Sequence, residues 1–435
     1  MQSFFVKTFG CRASQADGAA LEAGLAATGL RSAGDVLQAD LVVLNTCTVT
    51  ESADDDLRRT VRRIHREQPD SRILITGCYA QRASEELAAI PGVTWVVGNS
   101  HKTSIPEIIN PGAEHYHSQI HLGDIQLQRD FLAAPVDDAL GDRTRPNLKI
   151  QDGCSNKCSF CIIPSVRGRS RSALADDVVA QVRSLAARYR EVVLSGINLG
   201  RWGRELREGR TDKQQRLVDL VRRLLQETDV QRLRLSSVEP MDFSDALLEL
   251  MAGSSRIAKH VHAPLQSGSD TVLRRMHRKY RTRHYADRIW KARSLMPECG
   301  VGADVMTGFP GETEAEFEES RAFIDSLPFT YLHIFTYSAR PGTKAAEAQD
   351  HVPSEVRKHR TQVLRDLAAH KNLEFRRTMI GRRLSVVTLE GGVAISEHYL
   401  KVKMSQARES KRLEDILVGG LTADGLYEAG VLQVI

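Results

Sequence analysis

The stretch NLKIQDGCSNKCSFC, residues 147–161, joins a short apolar alternation to three cysteines spaced C-x3-C-x2-C. NLKIQ reads as a strand, so Cys154, Cys158 and Cys161 lie in the loop at its C-terminal end. A closed structural zinc site takes four protein ligands, as does a cubane iron–sulfur cluster held by protein alone. Three thiols leave one position for a distant residue or for a ligand that is not protein. No fourth Cys or His stands nearby, which makes this a poor closed zinc site. Downstream, EVVLSGIN, RLRLSSVEP, HVHAPLQSG, GADVMTGFP and TYLHIFTYS read as further strands, each followed by helical or irregular sequence. Six such units predict a partial (β/α)6 barrel, whose chemistry sits in the loops after the strands. At those strand ends fall Gly196 and Asn198, Ser236, Ser237 and Glu239, Gln266 and Ser267, and Asp304 and Gly308. Glycine lets a backbone approach a ligand closely. Glu239, Ser236 and Ser237 suit a ribose or an amine, or else make ordinary strand-end hydrogen bonds.

Toward the N-terminus, strand-like SFFVKTFGC, DLVVLNTC, RILITGCYA and VTWVVGN alternate with helical patterns such as LEAGLAATGL and ADDDLRRTVRRIHREQ. That order predicts a doubly wound parallel sheet. Three strands end in FGC, NTC and TGC, so Cys11, Cys47 and Cys78 share one topological position at the edge where open α/β sheets bind ligands. Cysteine is also a common small apolar residue of buried strands. Three at the same position instead point to a converging soft-ligand set suited to zinc or iron–sulfur, again one ligand short.

Composition fits an α/β protein of more than one domain: 435 residues, 41% hydrophobic and 26% charged. No apolar run approaches the ~18 residues of a membrane span, and MQSFFVKTFGC lacks a signal peptide's basic region and cleavage site. The expected compartment is the cytoplasm, where the seven cysteines serve as free, catalytic or metal-bound thiols rather than disulfides. A net charge of +5 permits nucleic-acid binding without demanding it.

The C-x3-C-x2-C loop after the first strand of a partial barrel resembles the radical S-adenosylmethionine superfamily. That resemblance implies a 4Fe-4S cluster on Cys154, Cys158 and Cys161, with S-adenosyl-L-methionine on the open iron. It further implies cofactor contacts from Phe160, Gly196, Asn198, Ser236, Ser237, Glu239, Gln266 and Gly308. The cysteine-bearing first domain, the continuation CIIPSVRGRSRS and a β-rich tail are similar to the methylthiotransferases. HAPLQSGSDTVLRRMHRKY (262–280) and HIFTYSARPGTKA (333–345) resemble the branch acting on threonylcarbamoyladenosine in tRNA. In FGCRASQ, Ala13 and Ser14 stand where that family often has a larger residue and Asn. What the family implies is a second 4Fe-4S cluster on Cys11, Cys47 and Cys78 carrying the sulfur to be inserted, with an external electron donor and sulfur source. Isopentenyladenosine in tRNA, or an aspartate of a ribosomal protein, are alternative substrates within the family. An RNA-binding iron–sulfur redox sensor is the alternative from another class.

LRRMHRKYRTRHY, residues 273–285, carries six Lys or Arg with two Tyr interleaved. The pattern suits phosphate contact with base stacking, or a solvated helix face. The RNA reading assigns Arg274, Arg278, Lys279, Tyr280 and Arg281, together with Arg167 and Arg169 of RGRSRS. The tail predicts a small antiparallel barrel similar to the TRAM domain, reached through the helical EVRKHRTQVLRDLAAHKNLEFRR. The expected domains are 1–115, a linker 116–140, a radical core 141–371 and the tail 372–435. Cys299 reads as structural.

Overall fold

A computed structural model describes residues 1–109, 118–128, 131, 144–206 and 215–430. The chain divides into two compact units. The first takes residues 1–140, 147–173 and 338–346; the second takes 141–146, 174–337 and 347–435.

In the first unit, β1 (Ser3–Thr8), β2 (Arg31–Ser32), β3 (Leu41–Thr46), β4 (Arg72–Gly77), β5 (Val93–Gly98) and β6 (Gln119–His121) form one sheet in the order β2-β1-β3-β4-β5-β6. Every pairing is parallel. All six residues of β3 are buried, as a central strand covered on both faces requires. Successive side chains serve opposite cores. Val42, Leu44, Ile73, Ile75 and Val96 pack with Leu57, Val61 and Ile64 of α2 (Glu51–Glu67), while Leu41, Val43, Leu74, Trp95 and Val97 pack with Leu21 and Leu25 of α1 (Arg12–Ala27). The segment expected as a linker departs from that expectation at β6, where Gln119 sits opposite Trp95 and extends the sheet. Two short strands, β2 and β6, carry too few residues to show a periodicity.

Residues 147–173 belong to this unit rather than to the barrel unit. Strand Asn147–Asp152 pairs antiparallel with Arg171–Ser172. Asn147 Nδ2 donates to Arg12 O (2.7 Å), and Lys149 Nζ reaches Asp17 Oδ1 (2.5 Å).

The second unit contains five parallel strands, Glu191–Gly196, Arg232–Leu235, His260–His262, Gly300–Thr307 and Tyr331–Thr336, with helices between them. An isolated parallel bridge, Ser237 to His262, links the second of these to the third. Val193 N donates to Pro146 O (2.9 Å), just before strand 147–152 begins. Strands between Arg383 and Glu428 close into a five-stranded barrel around Leu384, Val386, Val402, Ile416 and Leu426. Helix Ser354–Arg377 runs through the expected boundary at 372, and Arg376 from its last turn donates to Thr422 O and Gly425 O inside the barrel. Glu191 is fully buried and pairs with Arg145, Arg232 and Arg234. Those last two arginines also donate to Ser385 O and Ser396 O of the tail barrel. Among the described residues, no helix is long and apolar enough to cross a membrane.

Candidate active site

Cys11 caps the start of α1, Cys47 follows β3, and Cys78 opens the short helix Cys78–Arg82 after β4. Glycine makes the convergence possible. Gly10 has φ +99°, and a Cβ there would lie 2.5 Å from Cys47 Cβ and 3.0 Å from its Sγ. Gly77, at φ +100°, would meet Thr46 O at 2.5 Å. Burial, then Cys78, and more weakly Cys11, push the Cys47 thiol up to about 12. All three thiols are free; Cys11 is exposed while Cys47 and Cys78 are buried. A soft, three-sulfur set that is open on one side fits an incompletely protein-ligated cluster. A protonated thiol in that setting must lose its proton to bind metal.

Below Cys78 lies a buried charge network that sequence patterning does not reveal. Arg167 is 2% exposed. Its Nε donates to Cys78 Sγ (3.3 Å), its Nη1 to Asp152 Oδ1 (2.9 Å) and its Nη2 to Asp17 Oδ2 (3.0 Å). Lys149 bridges the same two carboxylates, Lys102 pairs with Asp17 (3.1 Å), and Arg171 lies 3.6 Å from Asp152. Burial alone would raise the Asp17 carboxyl, but Lys102, Lys149 and Arg167 hold it well below the usual carboxylate range. The expectation of Arg167 as an RNA contact is therefore corrected: its guanidinium faces inward, fully engaged. Asn99 Nδ2 adds a second donor near Cys78 Sγ (3.7 Å) while bonding Val166 O (2.7 Å).

The C-x3-C-x2-C loop leaves the strand through Gly153, at φ +66°, where a Cβ would fall 2.1 Å from Arg169 O. Cys154 N donates to Gly168 O (3.0 Å), Asn156 N to Cys154 Sγ (3.4 Å) and Cys161 N to Cys158 O (3.2 Å). The loop is folded back on itself, with none of its three cysteines in a disulfide and all three partly exposed. Phe160 is half-buried between them in sequence. The motif 333–345 reaches this loop through Ala345 N, which donates to Ser159 O (2.9 Å), and Arg340 pairs with the buried Asp54 (2.8 Å). Three sulfur ligands suit a cluster that keeps one iron open.

In the second unit, Gly196, Ser236 and Ser237 lie half-buried at strand ends and Asn198 is buried. Gln266 adopts φ +68° and forms a parallel bridge to Val305. Gly308, at φ +70°, donates its N–H to Glu312 (2.7 Å). Glu239 forms an ion pair with Arg278. The basic stripe divides. Arg274 and Lys279 are exposed and Arg281 half-buried, but Arg278 turns inward and Tyr280 is buried with its hydroxyl on Pro264 O (2.7 Å) and Leu265 O (2.8 Å). Arg278 and Tyr280 are thus corrected from RNA contacts to internal groups, because Tyr280 serves the carbonyls of Pro264 and Leu265 and Arg278 serves Glu239 and the Tyr280 hydroxyl. Arg169 is exposed. A further cluster went unread in the sequence: Asp304 takes His262 Nε2 at 3.2 Å and His333 Nδ1 at 3.1 Å, and Tyr331 OH joins His260 and His262 at 2.8 and 2.7 Å. The i, i+2 spacing of His260 with His262 and of Tyr331 with His333 was the available signal. Cys299 is fully buried, and burial pushes its thiol up to about 11.

Residues 3–98 match a model described as uncharacterized protein family UPF0004, and residues 148–324 match the radical SAM superfamily. The fold is similar to a radical S-adenosylmethionine methyltransferase, TsrM, from Kitasatospora setae, with TM-score 0.55 and 15% identity over 80% of this chain and 77% of that one. Fold and family model define a radical S-adenosylmethionine enzyme. Among curated relatives, a threonylcarbamoyladenosine tRNA methylthiotransferase of Bacillus subtilis is 41% identical over 75% of this chain and 71% of its own. One of the same name from Aquifex aeolicus is 33% identical over 95% and 99%. A tRNA-2-methylthio-N(6)-dimethylallyladenosine synthase of Syntrophobacter fumaroxidans is 34% identical over 85% and 81%. The chain belongs to the radical S-adenosylmethionine tRNA methylthiotransferase family. Membership implies a 4Fe-4S cluster, S-adenosylmethionine and a tRNA substrate.

Proposed function

We propose that the enzyme inserts a methylthio group at C2 of N6-threonylcarbamoyladenosine, next to the tRNA anticodon. The observation that carries the substrate is the 41% identity to the Bacillus subtilis relative of that name. Cys154, Cys158 and Cys161 would hold the cluster that binds S-adenosylmethionine, and Cys11, Cys47 and Cys78 an auxiliary 4Fe-4S cluster. When bound, these groups supply the radical and the sulfur. The chain itself supplies ligands, orientation and exclusion of water. Phe160, Gly196, Asn198, Ser236, Ser237, Gln266 and Gly308 are assigned to cofactor contact. Glu239 is assigned there together with its partner Arg278. Arg169, Arg274, Lys279 and Arg281, with the TRAM-like tail barrel, are assigned to RNA. Reductant and sulfur source are external, and the cytoplasm is the assigned compartment.

Mass spectrometry of nucleosides from cells lacking the protein tests this reading. The expected result is loss of the methylthio form with accumulation of threonylcarbamoyladenosine. The Syntrophobacter relative supports a second reading, with dimethylallyladenosine as substrate. Loss of that methylthio nucleoside alone would select it.

A further inference from the structure

Among the described residues, the charge network beneath Cys78 does not balance. Asp17 and Asp152 are its two carboxylates, while Lys149, Arg167, Arg171 and Lys102 are cationic groups. Burial pulls Lys102 below its ordinary value. Even with Lys102 neutral, three cations face two anions among the described residues. An uncompensated buried charge is costly, so these cations favour an anion within contact distance. A cavity of about 20 Å³, room for roughly one water, touches these groups and is lined otherwise by Asn99, Thr103 and Gln128. Neither neutral amides nor one water supplies the charge. The direct contact is Arg167 Nε to Cys78 Sγ at 3.3 Å, with both remaining nitrogens of the fork clamped by Asp152 and Asp17.

We propose that Arg167 is a positioning residue for the cluster on Cys11, Cys47 and Cys78, donating to the Cys78 thiolate and stabilising the cluster's reduced, more negative state. The assignment rests on the two-cluster reading above. Arg167 lies six residues beyond Cys161, on the helix Ile163–Arg167 that follows the other cysteine loop. One side chain therefore ties that loop to a ligand of the second site. The Asp17 and Asp152 clamp fixes the guanidinium so that its donor direction is set before the cluster is present. A hydrogen bond and a positive charge at a cluster sulfur raise its reduction potential.

The test uses full-length protein, purified and reconstituted anaerobically, in a Cys154→Ala, Cys158→Ala, Cys161→Ala background that leaves one cluster site. Iron content reports first on the reading beneath: absence of any 4Fe-4S cluster in that background overturns the two-cluster assignment. With the cluster present, its midpoint potential is followed by EPR-monitored titration in the background protein and with Arg167→Gln or Arg167→Lys added. Arg167→Gln should weaken one-electron reduction by about tenfold, a shift of about 59 mV to lower potential. Arg167→Lys keeps the buried charge but loses the fixed Nε donor, and its potential should lie between the two. If the glutamine variant does not fold, the lysine variant alone decides. A potential equal to that of the background protein, in whichever variant folds and holds the cluster, overturns the role of Arg167.

Discussion

At the scale of single residues, the thiols and the glycines that seat them make separable predictions. Cys158→Ala should lower production of 5'-deoxyadenosine from S-adenosylmethionine by more than about 100-fold, beyond the loss typical of an outer-shell partner. Chromatographic assay of the reduced, reconstituted variant checks it. Cys47→Ala should instead keep that cleavage while losing sulfur insertion into tRNA, read by nucleoside mass spectrometry. Gly10→Ala adds a Cβ into Cys47 at a positive φ, so both strain and collision oppose it. It should cost about 1–3 kcal/mol and reduce iron retention at the Cys47 site, measured by thermal denaturation and iron assay. The placement of all six cysteines after strands was legible in the sequence because strand endings repeat: FGC, NTC, TGC and the C-x3-C-x2-C loop. Arg167 was legible as a residue but not as a role. RGRSRS gives three arginines at alternate positions, and nothing in that pattern shows that Asp17, 150 residues away, takes the first of them.

Among elements, the pairing of strands Glu191–Gly196 and Arg232–Leu235 is braced by Glu191. It opens the strand Glu191–Gly196, and Arg232 and Arg234 of the neighbouring strand both close on it. Glu191→Gln leaves these cations without a counter-charge and should destabilise the unit by about 3–5 kcal/mol, measured by chemical denaturation. Burial would raise the Glu191 carboxyl, but Arg234 and Arg232 hold it well below its ordinary value. The stabilisation is therefore complete above the unfolded-state value of about 4.3 and is lost as pH falls through the folded value. The gap between parent and Glu191→Gln should be full at neutral pH and narrow only below about pH 4. Long strands were readable from apolar alternation, from SFFVKT to YLHIFT, since their period matches a pleated surface with one or two buried faces. β6 was not, because three residues set no period. Nor did the basic, aromatic pattern of 273–285 show that Tyr280 serves the carbonyls of Pro264 and Leu265, or that Arg278 pairs with Glu239, 39 residues earlier.

For the whole molecule, chain order and spatial grouping differ. Residues 147–173 and 338–346 pack with the first unit, although the strands that follow the cysteine loop in sequence build the second. An ion network links them: Lys149 and Arg167 both pair with Asp17 of the N-terminal sheet region, which Lys102 also contacts, and Arg167 pairs with Asp152 as well. Both cysteine triads therefore lie in one compact unit. Each triad is proposed to hold its own cubane. Iron analysis with Mössbauer spectroscopy on anaerobically reconstituted protein tests it most directly. Two cubanes give about eight iron atoms per chain, about four for each, falling to about four when either triad is replaced by alanine. Four or fewer in the parent protein, or removal of one triad that abolishes all iron while the fold persists, would contradict it.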